Sequence, residues 1–165
     1  MGSLTINNPG EIVGVCGSSG FLLSGGVYTI INVPGAPLTW AEGINTAGVI
    51  VGYYVDSSDN FDGFMYSGGT FTTIDYPGYP NTYLAGINDS GLIVGAYGFD
   101  TVIGSTTYPW TNGFVYSAGT FSSFDVPFGA VAATEPYTLN NNGEIVGGYV
   151  DSAGMTYGFY AKVTQ

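Results

Sequence analysis

One phrase is written four times along this chain of 165 residues. Gly-Ile-Asn-x-x-Gly-x-Ile-Val-Gly-x-Tyr stands nearly verbatim at Gly43–Tyr54 and Gly86–Tyr97, and variants stand at Thr5–Val15 and Thr138–Tyr149. A recurrence of this length marks stacked copies of one supersecondary unit, none of which can bury its apolar face alone. The residues between the glycines are mostly Val, Ile, Thr, Tyr and Phe, which is strand composition. The sequence therefore predicts an all-β chain of packed, similar modules.

Each module reads as four short strands. Strand A ends in Ile-Asn, strand B is x-Ile-Val-Gly-x-Tyr, strand C is Gly-Phe-x-Tyr, and strand D is x-Phe-Thr-Thr-Ile-Asp before Pro. The B-strand glycines Gly14, Gly52, Gly95 and Gly147 lie 38, 43 and 52 residues apart. That pitch matches a four-stranded propeller blade. Asn45 to Gly48, Asn88 to Gly91 and Asn140 to Gly143 read as A–B turns, with Asn as the side-chain cap. Ser24-Gly-Gly26, Ser67-Gly-Gly69 and Ser117-Ala-Gly119 read as tight C–D hairpins. Strand B is apolar on both faces: Ile50 and Tyr54 point one way, and Val49, Val51, Tyr53 and Val55 the other. A strand covered on both sides belongs to a sheet packed between two others.

The expected fold is a propeller-like array of four repeats, each of about four antiparallel strands, over residues 4–37, 38–80, 81–133 and 134–165. The last repeat is truncated, because the sequence supplies no strand D after Lys162-Val-Thr-Gln165. Three arrangements stay open: a small four-bladed ring closed by the N-terminal strand, a ring completed by a second chain, or an open stack. Unpaired edges in the last two would invite homo-oligomers.

Charge limits the partners. Twelve Asp and Glu face a single base, Lys162, so the net charge is −11, and there is no His. Nucleic-acid binding needs cations to displace phosphate counterions, so that class is excluded. Anionic membranes would repel the chain, and no apolar run is long enough for a membrane helix. Cys16 has no partner for an intramolecular disulfide; it stands where later repeats have Tyr, so a buried thiol is expected. No signal-peptide pattern is read at the N-terminus.

The phrase at Gly43–Tyr54, followed by Gly-Phe-x-Tyr-x-x-Gly-x-Phe-Thr-Thr-Ile-Asp-x-Pro-Gly through Gly78, resembles the bacterial extracellular repeats known as the HAF type. The likeness covers almost the whole chain, is looser in the first repeat, and lacks the usual His before Gly-Phe. It implies export, an extracellular location and a propeller-like β array. It implies no catalytic residues.

Alternating strands put the short A–B and C–D turns on one rim and the variable B–C and D–A connections on the other. In repeat arrays such insertions gather on the binding face. Trp40, Trp110, Tyr108, Tyr83, Tyr79 and Asn112 fall there, among several Asp and Asn residues. Flat rings beside amides and carboxylates suit stacking on sugars and hydrogen bonding to their hydroxyls. The expected function is a non-catalytic, secreted repeat protein that binds glycans or surface polymers through this rim. The alternative is a self-assembling structural module with no small ligand.

Asp56, Asp59 and Asp62 raise calcium, but their spacing is not that of an EF-hand loop, and a solvated acidic loop is the preferred reading. No cofactor is otherwise expected. Without His there is no Ser-His or Cys-His nucleophile system and little basis for zinc. Paired carboxylates, among Glu42, Glu135, Asp56 and Asp100, are the only route left to an enzyme.

Overall fold

The computed structural model describes residues 4–103, 106–108, 111–127 and 131–163. Among them every regular element is a strand. Blade 1 is the sheet β1 (Leu4–Ile6), β2 (Ile12–Cys16), β3 (Ser19–Ser24) and β4 (Val27–Ile31), in that order. Blade 2 is β5 (Thr39–Ile44), β6 (Ile50–Val55), β7 (Phe61–Ser67) and β8 (Thr70–Thr73). Blade 3 is β9 (Asn81–Ile87), β10 (Ile93–Gly98), β13 (Asn112–Ser117) and β14 (Thr120–Phe124). A small hairpin, β11 (Thr101–Ile103) with β12 (Thr106–Tyr108), is inserted into its B–C connection. Among the described residues blade 4 has three strands, β15 (Val131–Leu139), β16 (Glu144–Asp151) and β17 (Thr156–Lys162). The expected all-β architecture is present: four antiparallel sheets in a four-bladed, propeller-like arrangement.

Turn chemistry sets each blade's register. Asn45 Oδ1 accepts from the amides of Ala47 and Val49, Asn88 Oδ1 from those of Ser90 and Leu92, and Asn140 Oδ1 from those of Asn142 and Glu144. In blades 2, 3 and 4 the A strand carries a bulge after Ala41, Leu84 and Pro136. A Cβ on Gly52, Gly95 or Gly147 would collide with the carbonyl oxygen of Trp40, Tyr83 or Glu135 respectively. This close approach of backbone to backbone explains the glycine inside every one of these B strands.

Among the described residues most of the core lies in three interfaces between consecutive blades. The first joins Val13, Leu22 and Ile31 of blade 1 to Ala41, Ile44, Ile50 and Phe64 of blade 2. The second joins Val51, Met65 and Ile74 to Leu84, Ile87, Ile93 and Phe114. The third joins Val94, Val115 and Phe124 to Leu139, Ile145 and Phe159. The same positions are reused each time. One face of a blade offers its B-strand Val; the facing blade answers with the Ile or Leu before Asn and the B-strand Ile.

Polar ties recur with the same period. Thr39, Thr82 and Thr134 are buried, and each hydroxyl accepts the amide of the residue before the D–A proline: Val33, Tyr76 and Val126. Cys16 departs from expectation. It is exposed, because it lies on the outward face of blade 1, which no other described blade covers, whereas its counterpart Tyr54 packs into the first interface.

Candidate functional site

The rim residues singled out from sequence separate into distinct clusters. Trp40 on β5 stacks on Tyr53 of β6, with ring centres 4.9 Å apart and planes 12° from parallel. Tyr53 then meets Tyr83 of the next blade edge-on at 5.2 Å, and Phe61 at 5.7 Å. Trp40 and Tyr83 are thus brought together by Tyr53 and engaged within the fold. Burial holds the Tyr53 and Tyr83 hydroxyls well above the usual tyrosine range, and the carboxylates of Glu42 and Glu135 push them further the same way. Glu42 is itself buried at the blade-2 bulge.

Tyr79 belongs to a second cluster. It stands edge-on to Tyr97 at 4.7 Å and beside Phe99 at 5.0 Å, and both Tyr79 and Phe99 are exposed. Tyr97 is stacked on Tyr76. Asn81, next to this cluster in the chain, donates from Nδ2 to Asp100 Oδ1 at 3.0 Å. Tyr108 lies elsewhere, packed on Ala133 and Val150 beside a cleft of about 110 Å³ that Glu135, Tyr137 and Tyr149 also line. That is well below the roughly 300–1,000 Å³ of a ligand pocket. Asn112 is half-buried, and its Nδ2 donates to Thr111 Oγ1. Trp110 lies outside the described residues.

The acidic loop is a turn. Asp56 Oδ1 accepts from the amides of Ser58 and Asn60, which lowers the Asp56 pKa, and Asp59 adopts a left-handed φ of 63°. Asp151 builds the same turn in blade 4, through the amides of Ala153 and Met155. Asp62 faces Tyr54, with its pKa raised first by burial. Among the described residues no three acidic, His or Cys groups gather to hold a metal.

Two features were not read from the sequence. The first is a ladder across the blades on the short-turn rim. Asn7 Nδ2 donates to the carbonyl of Asn45 (3.0 Å), Asn45 Nδ2 to that of Asn88 (3.2 Å), and Asn88 Nδ2 to that of Asn140 (3.1 Å). Asn140 instead turns its Nδ2 back to Glu144 Oε2 (2.7 Å). The recurring Asn caps its own turn and also ties it to the next. A parallel row runs from Asn8 to Thr46, Asp89 and Asn141.

The second is the state of the two outer faces. Val13, Val51 and Val94 are each 0% exposed, but Val146, their counterpart in blade 4, is 47% exposed. Ile44, Ile87 and Leu139 are 5%, 8% and 9% exposed, but Ile6, their counterpart in blade 1, is 65% exposed. Tyr28 and Ile30 extend the open apolar face of blade 1, and Tyr160 that of blade 4. The fold defines a propeller-like β-repeat protein, whose first and last blades expose these faces among the described residues. No protein-family model and no curated protein matches the chain.

Proposed function

We propose that this chain is a non-catalytic assembly module whose outer blades join copies head to tail. The observation that supports it is the contrast just given: blade 4 exposes the Val half of an interface formed three times within the chain, and blade 1 exposes the Ile half. Exposed apolar sheet faces of this kind mark interaction surfaces. A contact between two different faces is heterologous, so copies close into a ring or continue as a filament. Each copy carries −11, so association strengthens as salt screens the repulsion.

Light scattering on the protein with Ile6→Asp, with Val146→Asp, and on an equal mixture of the two tests this. The unaltered chain should gain mass with concentration above its 17.1 kDa. Each variant alone should stay monomeric. The mixture should form dimers, because one intact Ile6 face still meets one intact Val146 face. A monomeric unaltered chain at all concentrations and salts, or a mixture that stays monomeric, overturns the reading.

A second reading rests on the exposed Tyr79–Phe99 pair beside Asp100: glycan or surface-polymer contact at the variable rim of an exported protein. Retardation in native gels containing soluble polysaccharide should be lost in Phe99→Ala. Equal mobility with and without every polysaccharide would remove it.

A further inference from the structure

Blade 4 differs from blades 2 and 3 at its outer edge. In those blades the fourth strand packs an aromatic ring onto two rings of the third strand. Phe71 packs on Phe64 at 5.5 Å and Tyr66 at 4.7 Å; Phe121 packs on Phe114 at 5.2 Å and Tyr116 at 4.7 Å. Blade 1 repeats the device with Tyr28 on Phe21 at 5.5 Å. In blade 4, Phe159 keeps the place of Phe64 and Phe114, but Ala161 stands where they have Tyr66 and Tyr116. The outcome is a groove of about 380 Å³ between blades 3 and 4, lined by Val115, Phe124, Ile145, Ala161, Lys162 and Val163. It runs beside β17, which among the described residues has β16 as a neighbour on one side only.

We propose that β17 and this groove take an extended peptide strand, with an aromatic side chain seated against Phe159 and Ala161. The two complete blades supply the chemistry of the occupant. It is a strand of the type Thr-Phe-Thr-Thr-Ile-Asp or Thr-Phe-Ser-Ser-Phe-Asp, as at Thr70–Asp75 and Thr120–Asp125. An edge strand offers a row of backbone donors and acceptors to such a segment, and a side-chain pocket gives it selectivity. The Asp is part of the pattern for a reason visible in blade 2: Asp75 Oδ1 accepts the amide of Gly63 at 2.9 Å, and Gly158 is the matching residue of blade 4. The strands β4, β8 and β14 are each paired inside their own blades, so the occupant is a segment other than these.

The test uses a fluorescent peptide with the sequence of residues 68–75 and the full chain carrying Ile6→Asp, which keeps head-to-tail contact from competing. Saturable 1:1 binding is expected, and a peptide with Ala in place of its Phe should bind about tenfold or more weakly, the fold-change for losing one buried ring. Ala161→Tyr should restore the ring pair and tighten binding of the Phe peptide while leaving the far-ultraviolet spectrum unchanged. No binding to either protein, or equal affinity for the Phe and Ala peptides, overturns the proposal.

Discussion

Val94 and Val146 hold the same place in the third and fourth blades, yet Val94 is sealed beneath Leu139 and Ile145 while Val146 faces outward. Ile87 and Ile6 make the same contrast at the other end of the array. The residue type does not decide its fate in such a molecule. Burial belongs to the contact between successive blades, and the described residues make three such contacts from four blades. The two leftover faces carry the residue types of the two sides of that contact. The comparison is also energetic: a middle face stabilises the fold, whereas an outer face is free to contribute to association.

The sharpest way to break the comparison is to place one charge in each setting. Val94→Asp buries a carboxylate among apolar groups and should cost more than about 4 kcal/mol, enough to unfold much of the protein. Val146→Asp touches solvent and should stay within about 0.5 kcal/mol. Urea denaturation of the two variants, at a concentration where the chain is monomeric, measures both. If Val146→Asp were as costly as Val94→Asp, the blade-4 face would be covered within one folded chain, and the assembly reading would fail.

The asparagine ladder gives a finer version. Asn88→Ala removes a turn cap and also the Nδ2 donor that gives the carbonyl of Asn140 a second bond beside the one from the Gly143 amide, so a loss of about 2 kcal/mol is expected. Asn140→Ala removes the same cap at the end of the row, where Nδ2 reaches only its own Glu144, and should cost about 1 kcal/mol. The difference between the two measures the inter-blade bond. Equal losses would mean that the ladder adds nothing beyond the caps.

Much of this was legible in the sequence because the repeats are local in origin. The Asn-x-x-Gly turns, the Gly-Gly hairpins and the two-faced B strands each carry their own chemistry, and repetition multiplies the signal. The Asn side chain as a bridge was not legible, because an Asx turn explains the residue fully without the second bond. Nor was the Thr at the start of the A strand, although it stands six residues before Asn in blades 2, 3 and 4. The exposure of Cys16 was misjudged on the same ground: its counterpart Tyr54 is packed, but only because blade 1 covers that face of blade 2. The aromatic rim candidates were partly legible. Their composition pointed to a surface platform, yet Trp40 and Tyr83 are engaged through Tyr53, a strand residue whose inward direction is set by pairing and not by type.

Titration offers the smallest test, at the end of strand D. In blade 1 the position is Asn32, which bonds Ser19; in blade 2 it is Asp75, which accepts from Gly63. Loss of hydration, and then the nearby Asp62, push the Asp75 carboxyl up to about 6 from its usual 3.8. The fold therefore favours protonated Asp75. Its contribution is fully present below about pH 4 and is lost as pH rises through about 6. Asp62 and Asp125 are shifted the same way by burial, whereas Glu11, Asp56, Asp89 and Glu144 are held low by hydrogen bonds and act only as pH falls below the ordinary carboxylate range. Between pH 7 and 4.5 the unaltered protein should thus gain stability. The Asp75 share is about 2 °C in Tm, since the carboxyl still reaches solvent and its neighbours are screened. Asp75→Asn gives blade 2 the amide that blade 1 already uses, and it should flatten that part of the profile while keeping the bond to Gly63. A Tm profile as steep in Asp75→Asn as in the unaltered chain would place the titration at Asp62 or Asp125 instead.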